Sequence, residues 1–471
     1  MSPPVLVGTD GLPAGAELLV GDGLLVPCVD GRDRPYLNLD SAASTSAHPA
    51  VARAVEDFLP WYSSVHRGAG YKSRRSTVAY EQARAAALAF AGREPDGDDL
   101  AILCRNTTEA VNHLAYRLRL TAEDVVVTTV VEHHANLLPW ARMCRRRFVE
   151  CLTDGTFGLE DVLAALDAPP RPRLLAITGA SNVTGWSPDL GAIIGAAHDR
   201  EVPVFVDAAQ LAPHRPIPAE ADYVAWSGHK MYAPFGAGVL VGPRATFSDG
   251  DPFLAGGGAV DLVDLDEVTW TEPPEREEAG SPNVIGAVAL EAAIGEFVRI
   301  GWAAIASHDD VVARALRAGL AALEGVHVLG PSLATPTLPV ASFTLDGVHH
   351  ALVAARLSAE YGIGVRHGCF CAHPYLLRLL GLDPAQVAAY RQSVLSHDRR
   401  DIPGAVRASA GLSTSMADVA RFLTAVGEIA AGRPAPIAYV QDPNTGDFWP
   451  DGDVPGWTAQ DRTVGASCAR G

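Results

Sequence analysis

Residues 225–234, AWSGHKMYAP, decide the fold and the chemistry of this chain together with residues 206–210, VDAAQ. Asp207 stands at the end of one apolar run, and Lys230 stands at the end of a second. A pyridoxal phosphate site needs an amine for the Schiff base, a carboxylate for the pyridinium nitrogen, and hydroxyl or imidazole groups for the phosphate. Ser227 and His229 precede the lysine, so the two stretches predict such a site.

Six further motifs follow one another along the chain. They are LNLDSAAST (37–45), NTTEA (106–110), EHHANLLPW (132–140), SNVTG (181–185), EAGSPN (278–283) and RHGCFCAHP (366–374). Together they resemble the class V aminotransferase-like enzymes and, among these, the cysteine desulfurase and selenocysteine lyase branch. The resemblance covers roughly residues 35 to 430. It implies an enzyme that depends on pyridoxal 5′-phosphate.

The bulk composition excludes several classes of function. The 471 residues carry 55 acidic and 37 basic side chains, a net charge of −18, whereas a nucleic-acid partner requires a basic face. We find neither a bilayer-spanning apolar stretch nor the basic start and apolar block of a signal peptide. Seven cysteines without disulfide-framework spacing favour a reducing compartment. We therefore expect a cytoplasmic protein with no nucleic-acid or membrane partner.

The alternation of apolar runs and helical patterns predicts an α/β fold. Runs such as 125–130, 174–177 and 204–206 are mostly apolar, which is typical of parallel strands covered on both faces. Residues 238–241 are expected to run against the others. The resemblance implies a fold type I pyridoxal-phosphate-dependent transferase, similar to aspartate aminotransferase, with a mostly parallel sheet in the large domain and a smaller α+β domain.

Four segments are expected along the chain. Residues 1–34 form an N-terminal extension, and residues 35–300 form the cofactor-binding large domain, whose first part is able to pack with the small domain. Residues 301–432 form the small domain with the cysteine loop. Residues 433–471, rich in Pro, Gly and Asp, form an irregular tail.

Polar residues that follow apolar strands are expected to meet at one edge of the sheet, where ligands bind in such folds. The resemblance assigns Lys230 to the Schiff base, Asp207 to the pyridine nitrogen, Gln210 to the phenolic oxygen with help from Asn182, and His133 to stacking and proton shuttling. It further implies three groups that bind the phosphate or complete the site: Thr107 and Thr108 at a helix N-terminus, Ser227 with His229, and Ser281 from the partner of a homodimer. His134 is expected to be structural.

Substrate contacts and reaction type depend on three further residues. By resemblance, Arg407 holds the α-carboxylate of a small amino acid, L-cysteine or an analogue, because a planar fork grips a carboxylate at two points. Asn182 and Arg366 are expected to bind the substrate as well. Cys371 matches the nucleophile that takes the substrate sulfur as a persulfide and passes it to an acceptor protein. A helix N-terminus and neighbouring histidines are expected to favour its thiolate.

The chain departs from the desulfurase pattern in several places. Cys369 and Cys371 form a Cys-x-Cys pair; Cys-Phe-Cys resembles molybdenum-cofactor sulfurases, whereas the following Ala-His-Pro is nearer the bacterial desulfurases. The second thiol either resolves the persulfide or forms a strained disulfide, and no metal site is expected without a second cysteine pair. The stretch between Cys371 and Arg407 is longer than in the resembling enzymes, and residues 410–414 read AGLST in place of a Tyr-Asn pair.

These departures leave other functions open. One alternative is a thiol-independent enzyme of the same class: a C–S lyase, a selenocysteine lyase, an epimerase or an aminotransferase in specialised metabolism. Another is a non-catalytic cofactor-binding partner in a sulfur-transfer assembly. The sequence leaves undecided the sulfur acceptor, the choice between sulfur and selenium, and the roles of Cys369 and the tail.

Overall fold

A computed structural model describes residues 17–452 of the chain. Its strands, in chain order, are β1 (Leu25–Pro27), β2 (Asp33–Pro35), β3 (Leu37–Asn38), β4 (Asp99–Cys104), β5 (Val125–Thr129), β6 (Arg145–Val149), β7 (Leu174–Thr178), β8 (Val204–Asp207), β9 (Tyr223–Ser227), β10 (Gly238–Pro243), β11 (Val260–Val263), β12 (Val268–Trp270), β13 (Val326–Leu329), β14 (Val340–Leu345), β15 (Ile363–Gly364), β16 (Arg366–Gly368), β17 (Ala405–Ser409), β18 (Tyr439–Gln441) and β19 (Phe448–Pro450).

Thirteen α-helices lie between these strands within residues 17–452. The α-helices, in chain order, are α1 (Pro49–Phe58), α2 (Tyr71–Phe90), α3 (Thr107–Arg117), α4 (Leu138–Met143), α5 (Leu159–Asp167), α6 (Leu190–His198), α7 (Arg244–Ser248), α8 (Val284–Ile300), α9 (Trp302–Ala321), α10 (His350–Tyr361), α11 (His373–Leu379), α12 (Pro384–Leu395) and α13 (Met416–Ala430). No helix within residues 17–452 combines the length and apolarity that a bilayer crossing requires.

Seven strands form the central sheet in the order β4-β10-β9-β8-β7-β5-β6. β10 pairs antiparallel with both of its neighbours, and the other pairs are parallel, as the sequence predicted. Alternate residues of one strand enter different apolar clusters; in β8, Val204 and Val206 face one cluster and Phe205 faces the other. Because both faces are covered, the inner strands β7, β8 and β9 are mostly apolar, whereas the edge strand β6 begins with three arginines. The predicted fold class is confirmed.

A second sheet, in the order β13-β14-β17-β16, is antiparallel and packs with α9, α10 and α13. The start of the chain joins this half, because β3 pairs in parallel with β15, and Leu37 and Leu39 enter its apolar cluster. An isolated bridge joins Asp40 to Ser409. These pairings bring the N-terminal motif against β17. The domain boundaries at residues 300 and 432 stay predictions.

The structure corrects one expectation within residues 433–452, where little regular structure was predicted. Strands β18 and β19 pair antiparallel, with Asp442 N–H donating to the Asp447 carbonyl at 2.9 Å and Gly446 N–H to the Asp442 carbonyl at 2.8 Å. Strands of three residues are too short to show a hydrophobic period, so their pairing cannot be read from the sequence. The remainder of the predicted tail, from residue 453 onward, lies outside the described residues.

Candidate active site

One cavity of about 240 Å³ lies at the carboxyl ends of the parallel strands. The side chains around it come from the ends of β7, β8 and β9, from the loops after β4 and β5, and from the cysteine loop and β17. Every residue predicted for the site lines it except Ser281: Thr107, Thr108, His133, Asn182, Asp207, Gln210, Ser227, His229, Lys230, Arg366, Cys371 and Arg407. Convergence at this edge follows from the parallel sheet.

Asp207 is the last residue of β8 and only 4% exposed. Its Oδ1 accepts a hydrogen bond from the Ala209 N–H at 3.0 Å, and within residues 17–452 it has no ion pair shorter than 4.0 Å. Burial raises the pKa of Asp207. Burying a carboxylate without a cation costs free energy, so a positively charged group of a ligand would be stabilised beside Asp207 in the cavity.

Lys230 ends the 3-10 turn Gly228–Lys230, which follows β9. Burial lowers the pKa of its amine to about 8, against the attraction of Asp207, which acts in the opposite direction. No hydrogen bond or ion pair holds the amine within the described part of the chain. A lysine with this pKa is partly neutral near physiological pH and is therefore a competent nucleophile and base.

One end of the cavity is formed by the first turn of α3. Asn106 caps this helix, accepting from the Glu109 N–H at 3.0 Å, and Ser227 Oγ accepts from the Thr107 N–H at 2.8 Å. The helix start approaches β10 so closely that a Cβ on Gly238 would lie 2.5 Å from the Asn106 Cα. Backbone N–H groups and the helix dipole at such an end favour a phosphate.

His133 and His229 are both held neutral by their surroundings. Burial, with Lys230 as the next cause, lowers the pKa of His133 to about 3 and that of His229 to about 4. His133 Nδ1 accepts from the Ala135 N–H at 3.0 Å, so the ring proton of neutral His133 lies on Nε2. Both imidazoles therefore act as neutral hydrogen-bonding groups and not as cations.

Arg407, in β17, is 2% exposed and reaches into the cavity from the second sheet. Its Nη1 donates to the Asn182 carbonyl at 3.0 Å, and its Nη2 donates to Asp40 Oδ1 at 2.8 Å. Its Nε is buried and has no hydrogen-bond partner in the described structure. Arg366, about half exposed, contacts the other oxygen of Asp40 at 3.4 Å. The guanidinium of Arg407 therefore retains donor capacity for a ligand.

The cysteine loop is a tight turn from Cys369 to Ala372, closed by the Ala372 N–H donating to the Cys369 carbonyl at 2.9 Å. Phe370 and Cys371 both have a φ of +53°, the left-handed region that side chains other than glycine rarely adopt. Asn182 Nδ2 donates to the Phe370 carbonyl at 2.7 Å, and the Phe370 ring lies 5.1 Å from the Arg407 guanidinium carbon. These contacts hold the exposed Cys371 at the cavity rim.

Three residues of the site were not predicted from the sequence. Asp40 bridges two arginines, and Phe370 packs on one of them. Glu132 lies fully buried behind the cavity, and it accepts from Thr129 Oγ1 at 2.8 Å, the Thr178 N–H at 2.9 Å and Asn136 Nδ2 at 2.7 Å. Burial raises its pKa to about 8. All three residues stand inside motifs that the sequence analysis singled out, and this was the available signal.

Ser281 lies outside this cavity, in a separate recess with Glu277 and Asn283.

The expected absence of a metal site stays a prediction. His66, Glu81 and Glu275 place ligand atoms within 4.8 Å of one another, but Glu81 already bonds to His66 and Arg84. This group therefore has little free ligand capacity.

The chain is similar in sequence to known proteins over most of its length. A probable cysteine desulfurase of Vibrio cholerae is 33% identical over 404 residues, covering 83% of this chain and 93% of the relative. A cysteine desulfurase of Klebsiella pneumoniae is 36% identical over 360 residues, covering 73% and 86%. The predicted similarity to cysteine desulfurases is thereby confirmed.

Solved structures agree with these sequence relatives. The apo cysteine desulfurase of Thermococcus onnurineus matches with a TM-score of 0.74 at 32% identity, covering 84% of this chain and 95% of that one. A cysteine desulfurase of Escherichia coli in an S-sulfonic acid form matches with a TM-score of 0.71 at 32% identity, covering 85% and 96%. Residues 37–422 match the model of the aminotransferase class-V family. The chain belongs to the aminotransferase class-V family.

Proposed function

We propose that this chain is a pyridoxal-phosphate-dependent cysteine desulfurase, which converts L-cysteine to L-alanine and takes the sulfur as a persulfide on Cys371. One observation carries the proposal: an exposed thiol, Cys371, lines the same cavity as Lys230, Asp207 and Arg407. An aminotransferase needs no thiol at this place, whereas sulfur transfer requires one. The names of the relatives support the same activity.

The cavity suits pyridoxal phosphate because its unsatisfied groups are complementary to that molecule. Asp207 is a buried carboxylate without an ion-pair partner, and Lys230 is a partly buried amine without a hydrogen-bond partner, within residues 17–452. The first turn of α3, with Ser227 and His229, offers donors for a phosphate. When bound, the cofactor supplies an electron sink that weakens the bonds at the substrate Cα. Thr107, Thr108, His133, Asn182 and Gln210 complete the set of residues that would hold it.

Arg407 binds the substrate carboxylate in this proposal. Its Nη atoms donate to Asn182 and Asp40, so the orientation of the guanidinium plane is set before a ligand binds. The buried Nε has no acceptor within the described residues and is free to donate to a ligand. A preset planar fork orients the substrate at little entropic cost. Lys230, with a pKa of about 8, holds and moves the Cα proton.

Cys371 completes the reaction. Its thiolate attacks the sulfur of the substrate; the carbon–sulfur bond of the substrate breaks, a sulfur–sulfur bond forms, and a proton is delivered to the former Cβ. The balance is L-cysteine plus the Cys371 thiol giving L-alanine plus the Cys371 persulfide, with no external oxidant. The exposure of Cys371 at the rim suits onward transfer to an acceptor protein.

The proposal includes a cytoplasmic homodimer in which Ser281 contributes to the site of the partner. Its support is the place of Ser281, outside the cavity of its own chain, together with the resemblance of the EAGSPN motif. Light scattering that gave a monomer mass for the cofactor-loaded protein would contradict it.

The test compares wild type, Cys371→Ala and Cys369→Ala, each loaded with cofactor and incubated with L-cysteine. Alanine is quantified, and fragment-ion mass spectra locate any added sulfur, because both cysteines lie on one peptide. We expect wild type and Cys369→Ala to form alanine and to carry one extra sulfur on Cys371, and Cys371→Ala to do neither. Equal alanine from Cys371→Ala would instead establish a thiol-independent enzyme. No turnover by a cofactor-loaded wild type would refute the proposed activity.

A further inference from the structure

Helix α12 lies beside the cysteine loop and is held by very few side chains. Asp383 and Gln386 cap its start reciprocally, with N–H···O distances of 2.8 and 2.9 Å, so the helix forms from local signals. None of its twelve residues is buried against the rest of residues 17–452. A helix without a buried face takes its position from individual contacts, and Tyr390 makes the principal ones toward the cysteine loop.

Tyr390 reaches the residue that precedes the turn. Its hydroxyl is close enough to the Cys369 thiol to influence its pKa, and Cys369 Sγ donates to the Pro403 carbonyl at 3.5 Å. Burial raises the pKa of Cys369 to about 11, so this thiol stays protonated and acts as a donor. Cys369 is therefore fixed between Tyr390 and Pro403, which suits a supporting role and not a nucleophilic one.

Tyr390 also reaches the residue that follows the turn. Its ring stacks on the His373 ring, with centroids 6.1 Å apart and planes 17° apart, and His373 stacks on His134 at 4.9 Å and 5°. His373 and His134 share a hydrogen bond of 3.1 Å between Nδ1 and Nε2. The backbone N–H of His134 donates to the Cys371 carbonyl at 2.8 Å. Three stacked rings thus connect α12 to the peptide of Cys371.

The turn requires such support because of its backbone. A left-handed residue other than glycine costs about 1–2 kcal/mol, and two occur in succession at Phe370 and Cys371. A turn under this strain persists only where neighbouring groups hold it on both sides. We propose that Tyr390 is a positioning residue that clamps both flanks of the turn and thereby sets the place of the Cys371 thiol at the cavity. This inference rests on the proposed function for its catalytic consequence but not for its structural one.

The test uses cofactor-loaded Tyr390→Ala and Tyr390→Phe, with Arg391→Ala as the matched control because Arg391 is the next residue on the same helix and is exposed. Two measurements are made: the rate at which iodoacetamide alkylates Cys371 in the absence of substrate, followed by peptide mass, and kcat and KM for alanine formation. The cofactor absorbance and the thermal midpoint of each variant establish that its site and fold are retained.

We expect Tyr390→Ala to change the Cys371 alkylation rate at least threefold and to lower kcat about tenfold with KM within twofold, because a reacting group displaced by 1 Å can cost about 100-fold in rate. Tyr390→Phe keeps the stacked ring and should recover most of the loss, whereas Arg391→Ala should match wild type. Cys369→Ala, which removes the partner of the hydroxyl but keeps the rings, should shift alkylation in the same direction by a smaller factor.

The two proposals fail separately. Unchanged alkylation and kcat in Tyr390→Ala, or an equal change in Arg391→Ala, would overturn the positioning role. A wild type that forms no alanine while Tyr390→Ala still alters Cys371 alkylation would remove the desulfurase function and leave the positioning role standing. If Tyr390→Ala does not retain the fold, Cys369→Ala decides the matter, and an unchanged Cys371 alkylation rate in that variant would overturn the proposal.

Discussion

Replacing Arg407 by lysine asks whether the planar fork of this side chain, and not its charge alone, holds the substrate carboxylate. In the structure, Nη1 is used by the Asn182 carbonyl and Nη2 by Asp40, and Nε is left without a partner. A lysine ammonium keeps the charge but has no fixed geometry. It cannot bond to both protein acceptors and still present two aligned donors to a ligand.

The expected size of the effect follows from that count of donors. Losing one hydrogen bond between charged groups costs about 1.5–3 kcal/mol. Since about 1.4 kcal/mol corresponds to a tenfold change, kcat/KM for L-cysteine should fall roughly 10- to 150-fold. The loss should appear mainly in KM, because the carboxylate is bound in the ground state and in the transition state alike.

Steady-state alanine formation from L-cysteine measures this, with Arg366→Lys as the matched control. Arg366 shares Asp40 with Arg407, but its side chain is 51% exposed, so the same substitution there should change kcat/KM only a few-fold. Cofactor absorbance must be the same in both variants. An Arg407→Lys enzyme with wild-type kcat/KM, or a larger loss in Arg366→Lys, would refute the assignment of Arg407 to the carboxylate.

Three further outcomes are expected. The rate at which cofactor-free protein binds pyridoxal phosphate should rise with pH only up to about 8, because burial lowers the pKa of Lys230 to that value. Asp207→Asn should move the inflection of this pH profile to lower pH, because Asp207 raises the pKa of the amine. Stopped-flow absorbance measures the rate, and an inflection near pH 10 in the wild type would contradict the lowered pKa. Glu278→Ala removes the buried carboxylate that pairs with the buried Arg84 guanidinium and leaves Arg84 only the 41% exposed Glu81, so it should lower the free energy of unfolding by about 3–5 kcal/mol. Glu81→Ala should cost less than about 1 kcal/mol in the same urea titrations, and equal losses would argue against the buried pair. Gly185→Ala should cost about 1–3 kcal/mol in the same titration, because its φ is +70° and a Cβ would lie 2.7 Å from a carbonyl oxygen; an unchanged midpoint would show that the loop yields.

The central sheet and most of the cavity could be predicted because their signals are local. Strands β5 and β8 are apolar except for the last two residues of β5 and the last residue of β8, a pattern that in a sequence of alternating helices indicates a parallel sheet covered on both faces. Parallel strands then carry the residues that follow them to one edge. Asp207 and Lys230 meet there for that reason, and no long-range information was needed to place them together.

Asp40 and Phe370 could not be assigned in the same way. Asp40 reaches Arg407 only because β3 pairs with β15 and Asp40 itself bridges to Ser409, contacts between residues more than 300 positions apart. Phe370 packs on Arg407 only because the turn adopts a left-handed backbone that nothing in Cys-Phe-Cys favours. Both depend on tertiary structure that overrides local preference.

Two segments near the cysteine loop, residues 399–400 and residues 441–443, are joined by hydrogen bonds. The Arg399 N–H donates to the Pro443 carbonyl at 2.8 Å, and Gln441 Nε2 donates to the Arg400 carbonyl at 2.8 Å. Asp447, between β18 and β19, pairs with His367 at 3.2 Å. Residues 439–450 lie beyond the part of the chain that matches the family model, which ends at residue 422. Residues 439–450 therefore support the surroundings of the cysteine loop from outside the family match, whereas the loop itself and the residues that line the cavity lie inside it.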